Sequence, residues 1–270
     1  MPTIGSLAVA AIVGGLSGLH TAIWGMYKDA VHEGFGPARF ARSVVIGAMC
    51  ALLIQSFIAL DLSRPGMLIL LFGLAYAGER MIVETWKTFF RDEDQSKYFI
   101  PMQFTMLGRP VANPSARRLA GLGYIVVCGV GLAMIDSFDL RLEPGRMSAA
   151  IAGAIVGLVI AVGGGWKDAP KEGFSLLKFF RSPLMTVSYA LLLSNVTNRH
   201  LLVAAAAIGF ERATAETWKK FFFPSKPPGK FAGKPVTHPE MLKRRRWFIA
   251  PYAAIWGALI LCGALSFVPE

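Results

Sequence analysis

The sequence predicts an all-α integral membrane protein, and three observations indicate this class. Hydrophobic residues make up 54% of the 270 residues and charged residues only 17%, with a mean hydropathy of +0.50, whereas soluble domains carry roughly a quarter charged residues. The apolar residues are gathered into segments, most of them near the ~20 residues with which a helix crosses a bilayer. Basic residues are concentrated in every second segment between them. We therefore expect a polytopic membrane helical bundle.

About eight spans can be placed along the chain. They are residues 5–27, 43–60, 65–86, 119–136, 147–166, 182–194, 200–218 and 247–267. The first segment lacks the positive n-region of a secretory signal peptide, and it has a counterpart in the middle of the chain, so we expect it to be retained as a span. All three cysteines lie inside spans and have no CxxC spacing, so neither a disulfide framework nor a cysteine metal site is expected.

The placement of charge predicts the orientation. The segments after the first, third, fifth and seventh spans, with the adjoining helix ends, hold 24 of the 28 Lys and Arg residues. By the positive-inside rule that side is cytoplasmic, so we expect both termini and the Arg141 loop outside a bacterial-type cytoplasmic membrane. The net charge of +11 then reflects topology and contact with anionic membrane lipids. The basic run at 243–246 flanks a span without an aromatic-basic module, which is not typical of a nucleic-acid site.

Three charged motifs occur twice in the same order and predict an internal duplication. YKDAVHEGFGPARFARS at 27–43 is matched by WKDAPKEGFSLLKFFRS at 166–182, ERMIVETWKTFF at 79–90 by ERATAETWKKFF at 211–222, and GRPVANP at 108–114 by GKPVTHP at 233–239. We interpret residues 1–140 and 141–270 as two four-span halves. Because four is even, both halves enter the membrane from the same side. This tandem 4+4 parallel repeat predicts a pseudo-twofold axis along the membrane normal.

The first motif is expected at the cytoplasmic ends of spans 1 and 5. The helix of span 1 should continue through Glu33 and stop at Gly34, in the left-handed conformation that favours glycine. Asp29 and Glu33 then lie one turn apart in the last helical turn, where the helix dipole disfavours negative charge, so cations are expected beside them. Arg42 or Arg80 could supply these cations. The whole charge cluster comprises Lys28, Asp29, Glu33 and Arg42 in the first half and Lys167, Asp168, Glu172 and Arg181 in the second, where Arg212 is the alternative cation.

Two other interpretations of this cluster stay open. A hard cation such as Mg²⁺ prefers oxygen ligands, which carboxylates provide. The possible ligands are Asp29, Glu33, Asp168 and Glu172. A polar substrate is the third interpretation, beside the salt-bridge cluster and the metal.

The second motif places ionisable residues at membrane depth. Only ten apolar residues, LLVAAAAIGF, separate His200 from Glu211, so at ~1.5 Å per residue Glu211 lies ~15 Å from that end of the helix, near the middle of a ~30 Å core. Ionisable residues at such depth usually face a bundle interior or a water-filled cavity. We predict an ion or substrate path lined by Glu79, Arg80, Glu84, Glu211, Arg212 and Glu216. The alternative is ion pairs that hold helices together.

The remaining motifs give weaker indications. GRPVANP and GKPVTHP predict turns, in which Arg109 and Lys234 could each hold a lipid phosphate. Small residues at 13–18 and 150–157 predict close helix contacts. The four histidines have no ligand-like spacing, so haem and zinc are not expected, and no other cofactor is indicated.

Three functions from different classes are compatible with these observations. The favoured one is a channel or transporter for a small polar or ionic solute, with its site between the two repeats. A non-catalytic subunit or assembly partner of a larger membrane complex is the second. As partners we expect anionic membrane lipids and either further copies of this chain or a larger membrane complex. The third is a membrane enzyme that acts on an anionic lipid head group with Mg²⁺. Transport predicts a polar passage lined by the Glu-Arg pairs, and an enzyme predicts a lipid-accessible cytoplasmic pocket with a metal. A subunit predicts neither of these, and flat apolar flanks.

Overall fold

The computed structural model describes residues 2–137, 145–227 and 229–267, which are almost entirely helical. The main helices are α1 (Ile4–Glu33), α2 (Pro37–Ile58), α3 (Pro65–Thr85), α4 (Pro114–Ser137), α5 (Arg146–Glu172), α6 (Leu176–Leu193), α7 (His200–Thr217), α8 (Met241–Arg244) and α9 (Ile249–Leu265). A π-helical turn follows α3 at Trp86–Phe90 and another follows α7 at Trp218–Phe222. Short 3-10 turns occupy Gly229–Phe231 and Arg245–Phe248. The predicted all-α class is confirmed.

Six helical segments of the described residues are long and apolar enough to cross a membrane, which is consistent with the predicted integral membrane protein. They are Ile4–Glu33, Pro37–Ile58, Pro65–Phe90, Arg146–Glu172, Leu176–Leu193 and Met241–Leu265. Helices α4 and α7 coincide with the predicted fourth and seventh spans but are not among the six. Three charged residues within 18 make α7 less apolar than the others. The side chains of Leu132 and residues 134–137, the predicted boundary at 140/141 and the Arg141 loop lie outside the described residues.

Two helices end at glycines, as the sequence predicts for the first of them. Helix α1 ends at Glu33, and the N–H of Gly34 donates to the Ala30 carbonyl at 2.9 Å; α5 ends in the same way before Gly173. Their backbone angles are φ 71°, ψ 166° and φ 79°, ψ 164°. The φ of Gly34 is positive as expected, but its ψ lies far from the left-handed helical value of about 47°. The prediction of a left-handed helical conformation at Gly34 was therefore wrong. The observed region is essentially restricted to glycine, so the requirement for this residue is stronger.

The described residues form two compact units, and unit 1 comprises Met1–Arg80, Ala205–Pro228 and Pro235–Glu270. Helix α1 packs against α2 through the small residues at 13–18, as predicted. A Cβ atom on Gly18 would lie 2.7 Å from the Cα of Val44, so only glycine permits this approach. Helices α3 and α7 also meet within unit 1, where a Cβ on Gly209 would overlap the Gly73 carbonyl.

Unit 2 comprises Met81–Ala204 and Gly229–Lys234. Helices α5 and α6 pack through small residues in the predicted 150–157 segment, because a Cβ on Gly157 would lie 2.5 Å from the Cα of Pro183. A two-stranded antiparallel ribbon, β1 (Thr105–Met106) and β2 (Arg109–Pro110), turns through Leu107 and Gly108, both with positive φ. Positive φ at both central residues is typical of a type I′ hairpin turn.

Candidate functional site: a buried polar column

A column of polar side chains lines one face of α1 within unit 1. We define this polar column as Ser17, His20, Thr21, Trp24, Lys28 and Asp29 of α1, Tyr76, Glu79 and Arg80 of α3, Glu211, Glu216 and Thr217 of α7, Lys220 of the following π-helical turn, and Tyr252 and Trp256 of α9. Thr217 and Trp256 are half-buried and all the others are buried. From Ser17 to Lys28 the column extends 11 residues, or ~17 Å, along α1.

The deep end of the column is aromatic and is centred on His20. The His20 Nδ1 atom lies 3.2 Å from the Tyr76 hydroxyl, and the Trp24 Nε1–H donates to the same hydroxyl at 2.7 Å. The imidazole stacks on the Tyr252 ring with centroids 4.1 Å apart. His20 Nε2 and Ser17 Oγ are buried and have no hydrogen-bond partner among the described residues. A buried polar atom without a partner costs about 1–3 kcal/mol, which water or a polar solute at this position would offset.

Thr217 extends the hydrogen bonding from this aromatic end to α7. Its Oγ1 atom lies 2.6 Å from the Tyr252 hydroxyl and accepts the Trp256 Nε1–H at 3.1 Å. Helices α7 and α9 are thereby connected through hydroxyl and indole groups beside the His20 imidazole.

The predicted intramembrane Glu-Arg pair is present in the first half as a direct ion pair. Arg80 Nε and Nη2 donate to the two oxygens of Glu79, at 2.5 and 2.8 Å. Glu79 is fully buried, at 0% exposure. The guanidinium also lies 5.2 Å from the centroid of the Trp24 ring, a cation–π distance. Glu79 and Arg80 are therefore placed against α1.

The second half arranges the equivalent residues differently. Glu211 is 1% exposed. Arg212 pairs with Glu216, one turn further on, at 3.4 Å, and Lys219 lies 3.5 Å from the same carboxylate. Arg212, Glu216 and Lys219 therefore lie together along α7 and the π-helical turn that follows it. Glu84, the counterpart of Glu216, belongs to unit 2, where it is 39% exposed and lies 3.5 Å from Lys87.

The other end of the column is ionic and depends on Lys220. The Lys220 ammonium lies 2.8 Å from the Asp29 carboxylate and 5.4 Å from the Trp24 ring centroid. Lys28 donates to the carbonyls of Lys219 at 2.8 Å, Lys226 at 2.5 Å, and Phe223. A cation at the carbonyl end of a helix complements its dipole. Lys28 therefore stabilises the π-helical turn that carries Lys220.

Sequence reasoning missed Lys220 and His20. The repeat counterpart of Lys220 is Thr88, so comparing the two halves gave no reason to select it. His20 is one of four histidines without ligand-like spacing. The feature that indicates it is the helical spacing of Ser17, His20, Trp24 and Lys28. This spacing places four side chains with polar groups on one face of an otherwise apolar helix.

Three of the four carboxylates of the predicted charge cluster have cation partners that the sequence did not identify. Glu33 pairs with Arg39 at 2.7 Å, and Glu172 pairs with Lys178. Together with Asp29 and Lys220, this arrangement fits the salt-bridge interpretation of the cluster. The described residues contain no group of three His, Cys, Asp or Glu side chains that could hold a metal ion. A Mg²⁺ site at Asp29, Glu33, Asp168 or Glu172 therefore finds no support in these residues.

The other predicted site residues are not among those that define the polar column. Arg42, Lys167, Asp168 and Arg181 are half-buried, and the Lys167 ammonium lies 3.8 Å from the sulfur of Met102. Arg109 is exposed in β2 and Lys234 donates to the Ser96 carbonyl at 2.7 Å, both in unit 2.

The column combines hydroxyl, imidazole, carboxylate and ammonium groups along one helix face. Groups of these types can exchange protons or replace part of the hydration shell of a small ion. No family model, curated protein or solved structure matches this chain.

Proposed function

We propose that this protein is a membrane channel or transporter for a small ion or polar solute, and that the polar column is part of its path. The observation that carries this proposal is the burial of Glu79 and Glu211, with 0% and 1% exposure, on the same unit as His20. Ionisable groups inside a membrane are costly and usually belong to an ion or solute pathway. Helix packing alone does not require them, because apolar pairs of similar volume are often as stable.

The composition of the column supports a site between the two sequence halves. Helices α1 and α3 belong to residues 1–140, whereas α7 and α9 belong to residues 141–270. The contact between Tyr252 and His20 and the ion pair between Lys220 and Asp29 each join one half to the other. A site formed by both copies of a duplicated unit is the usual location of a transport site in such proteins.

We also propose the eight-span 4+4 parallel repeat, with a pseudo-twofold axis along the membrane normal. Equivalent local features at a spacing of 139 residues support it: the terminal glycines Gly34 and Gly173, and the ion pairs of Glu33 with Arg39 and of Glu172 with Lys178. In this arrangement the basic segments are cytoplasmic and both termini lie outside.

The orientation can be tested by cysteine accessibility. A cysteine replacing Lys226 is expected to react with a membrane-impermeant maleimide only after the cytoplasmic face is opened, because positively charged segments stay inside. The background is a chain with Cys50, Cys128 and Cys262 replaced by alanine or serine. Cysteine at Ser63, between the second and third spans, is the matched control and should react in intact cells. The opposite pattern at the two positions would refute the orientation.

The function can be tested by flux into vesicles reconstituted with purified protein. The Glu211→Gln variant should remain folded and inserted but lower the flux of the transported species about tenfold or more, because a hydrogen bond to a charged group is worth about 1.5–3 kcal/mol. The flux of protons, Na⁺, K⁺, chloride and phosphate is measured in turn. Glu84→Gln is the matched control, since Glu84 is 39% exposed in unit 2, and it should have little effect.

Two outcomes decide between the functions. A selective loss of flux in Glu211→Gln supports the channel or transporter. Unchanged flux of every tested species, with a change only in melting temperature, would reject transport at this site and favour the non-catalytic subunit.

A further inference from the structure

An apolar groove lies beside α1 in unit 1. Its volume is about 370 Å³, within the range of roughly 300–1,000 Å³ that small-molecule sites occupy. Leu19 and Ile23 of α1, Phe40 of α2 and Phe248 contribute to its wall. The rings of Phe40 and Phe248 lie 5.7 Å apart and pack together. The groove is therefore a preformed hydrophobic surface.

The groove lies along the second half of α1 and the turn that ends this helix. Leu19 precedes the end of α1 at Glu33 by 14 residues, or ~21 Å of helix. Phe35, which also lines the groove, directly follows the glycine that terminates α1, and its ring lies 5.8 Å from that of Phe40. An occupant that fills the groove therefore extends from the end of the helix toward the apolar interior of the membrane, as a lipid chain does.

Charge is concentrated at one place on this otherwise apolar surface. Arg244 is the charged residue among the lining residues. It is exposed and has no ion-pair partner among the described residues. Arg244 belongs to the basic run at 243–246, and juxtamembrane clusters of this kind attract anionic head groups.

The neighbouring tryptophan marks the position of the head-group region. Trp247 lines the groove and is 80% exposed. Tryptophan is enriched where the bilayer core meets the head groups, because its ring is apolar and its N–H is polar. Arg244 and Trp247 therefore lie where a lipid phosphate and the top of its chain would lie.

We infer that this groove binds one phospholipid with an anionic head group, whose phosphate contacts Arg244 and one of whose acyl chains lies along Leu19, Ile23 and Phe40. The inference goes beyond the proposed transport function and does not depend on it. It also differs from the lipid contacts that the sequence indicates at Arg109 and Lys234, which belong to unit 2.

Native mass spectrometry of the full chain can test this inference. The protein in detergent micelles is titrated with phosphatidylglycerol or with phosphatidylcholine of the same acyl chains, and bound lipid is counted. We expect one phosphatidylglycerol to be retained in preference to phosphatidylcholine. The Arg244→Gln variant should weaken this binding about fivefold, because one cation near the head groups is worth about 1 kcal/mol. Since Arg244 is exposed, the melting temperature of the Arg244→Gln protein should stay unchanged.

Matched controls separate the groove from a general effect of charge. Arg246→Gln removes the same charge from the same basic run but from a residue outside the groove lining, so its binding should stay near that of the unmodified protein. Leu19→Trp fills the apolar end and should weaken binding while Arg244 is retained. Excess inorganic phosphate should not displace the lipid, because it has no acyl chain.

Three results would overturn the inference. Equal losses in Arg244→Gln and Arg246→Gln would mean that the whole basic surface attracts lipid without a defined site. Equal retention of phosphatidylcholine and phosphatidylglycerol would remove the role of head-group charge. Displacement of the lipid by inorganic phosphate would mean that the site recognises a free anion. This experiment measures lipid binding and not flux. A failure of the lipid-binding inference is therefore distinguishable from a failure of the proposed transport function.

Discussion

Replacing Arg80 with alanine is expected to destabilise the protein by about 3–5 kcal/mol, the cost of removing one partner of a buried ion pair. Glu79 has 0% exposure and both of its oxygens accept hydrogen bonds from Arg80. The truncation leaves a carboxylate in the bundle interior without its guanidinium. The free energy of unfolding in mixed detergent micelles measures the loss, and adding Glu79→Gln to Arg80→Ala should recover part of it.

Arg212→Ala is the matched control, because Arg212 occupies the same position in the second of the two similar sequence motifs. Its side chain is 37% exposed, and its partner Glu216 retains Lys219 at 3.5 Å. We therefore expect a loss of about 1 kcal/mol or less, as for exposed ion pairs. Equal losses in the two variants would contradict the different pairing of the two halves.

Replacing Lys220 with methionine is the second change with a large expected effect. Asp29 and Lys220 have side chains 12% and 6% exposed, and their charged atoms are 2.8 Å apart. Removing the ammonium leaves a buried carboxylate, so a loss of about 3–5 kcal/mol in the free energy of unfolding is expected. The same micelle experiment measures it.

A double variant distinguishes this ion pair from simple packing. Asp29→Leu combined with Lys220→Met replaces both charges by apolar groups and should be more stable than Lys220→Met alone, since such replacements of buried pairs are often neutral. Lys219→Met controls for removal of a neighbouring lysine that is 37% exposed. A double variant as unstable as the single one would mean that Lys220 acts through its other contacts and not through Asp29.

Local rules were sufficient for several parts of the fold. Glycine after a run of helical residues predicted the end of α1 at Gly34, and small residues at 13–18 and 150–157 predicted where helices approach closely. These features depend on residues near one another in the sequence. Their prediction needs no knowledge of how the helices assemble.

The partners within the candidate site could not be obtained in the same way. Asp29 and Lys220 are 191 residues apart, and their pairing depends on the packing of α1 with the turn after α7. Arg80 and Arg212 also occupy equivalent positions in the two similar motifs. In the structure, however, Arg80 pairs with the adjacent Glu79, whereas Arg212 pairs with Glu216. Internal similarity identifies which residues are repeated, but burial and long-range packing decide what each repeat contacts.

The residues at the deep end of the polar column are not repeated in the two sequence halves. At the spacing that relates the two halves, the counterparts of His20 and Trp24 are Val159 and Gly163, and the counterpart of Tyr76 at the spacing of the second motif is Ile208. The second copy therefore has no polar counterpart of His20, Trp24 or Tyr76. The proposed transport function therefore predicts one pathway per polypeptide instead of two parallel ones, and a blocker that occupies the column should saturate at one molecule per chain.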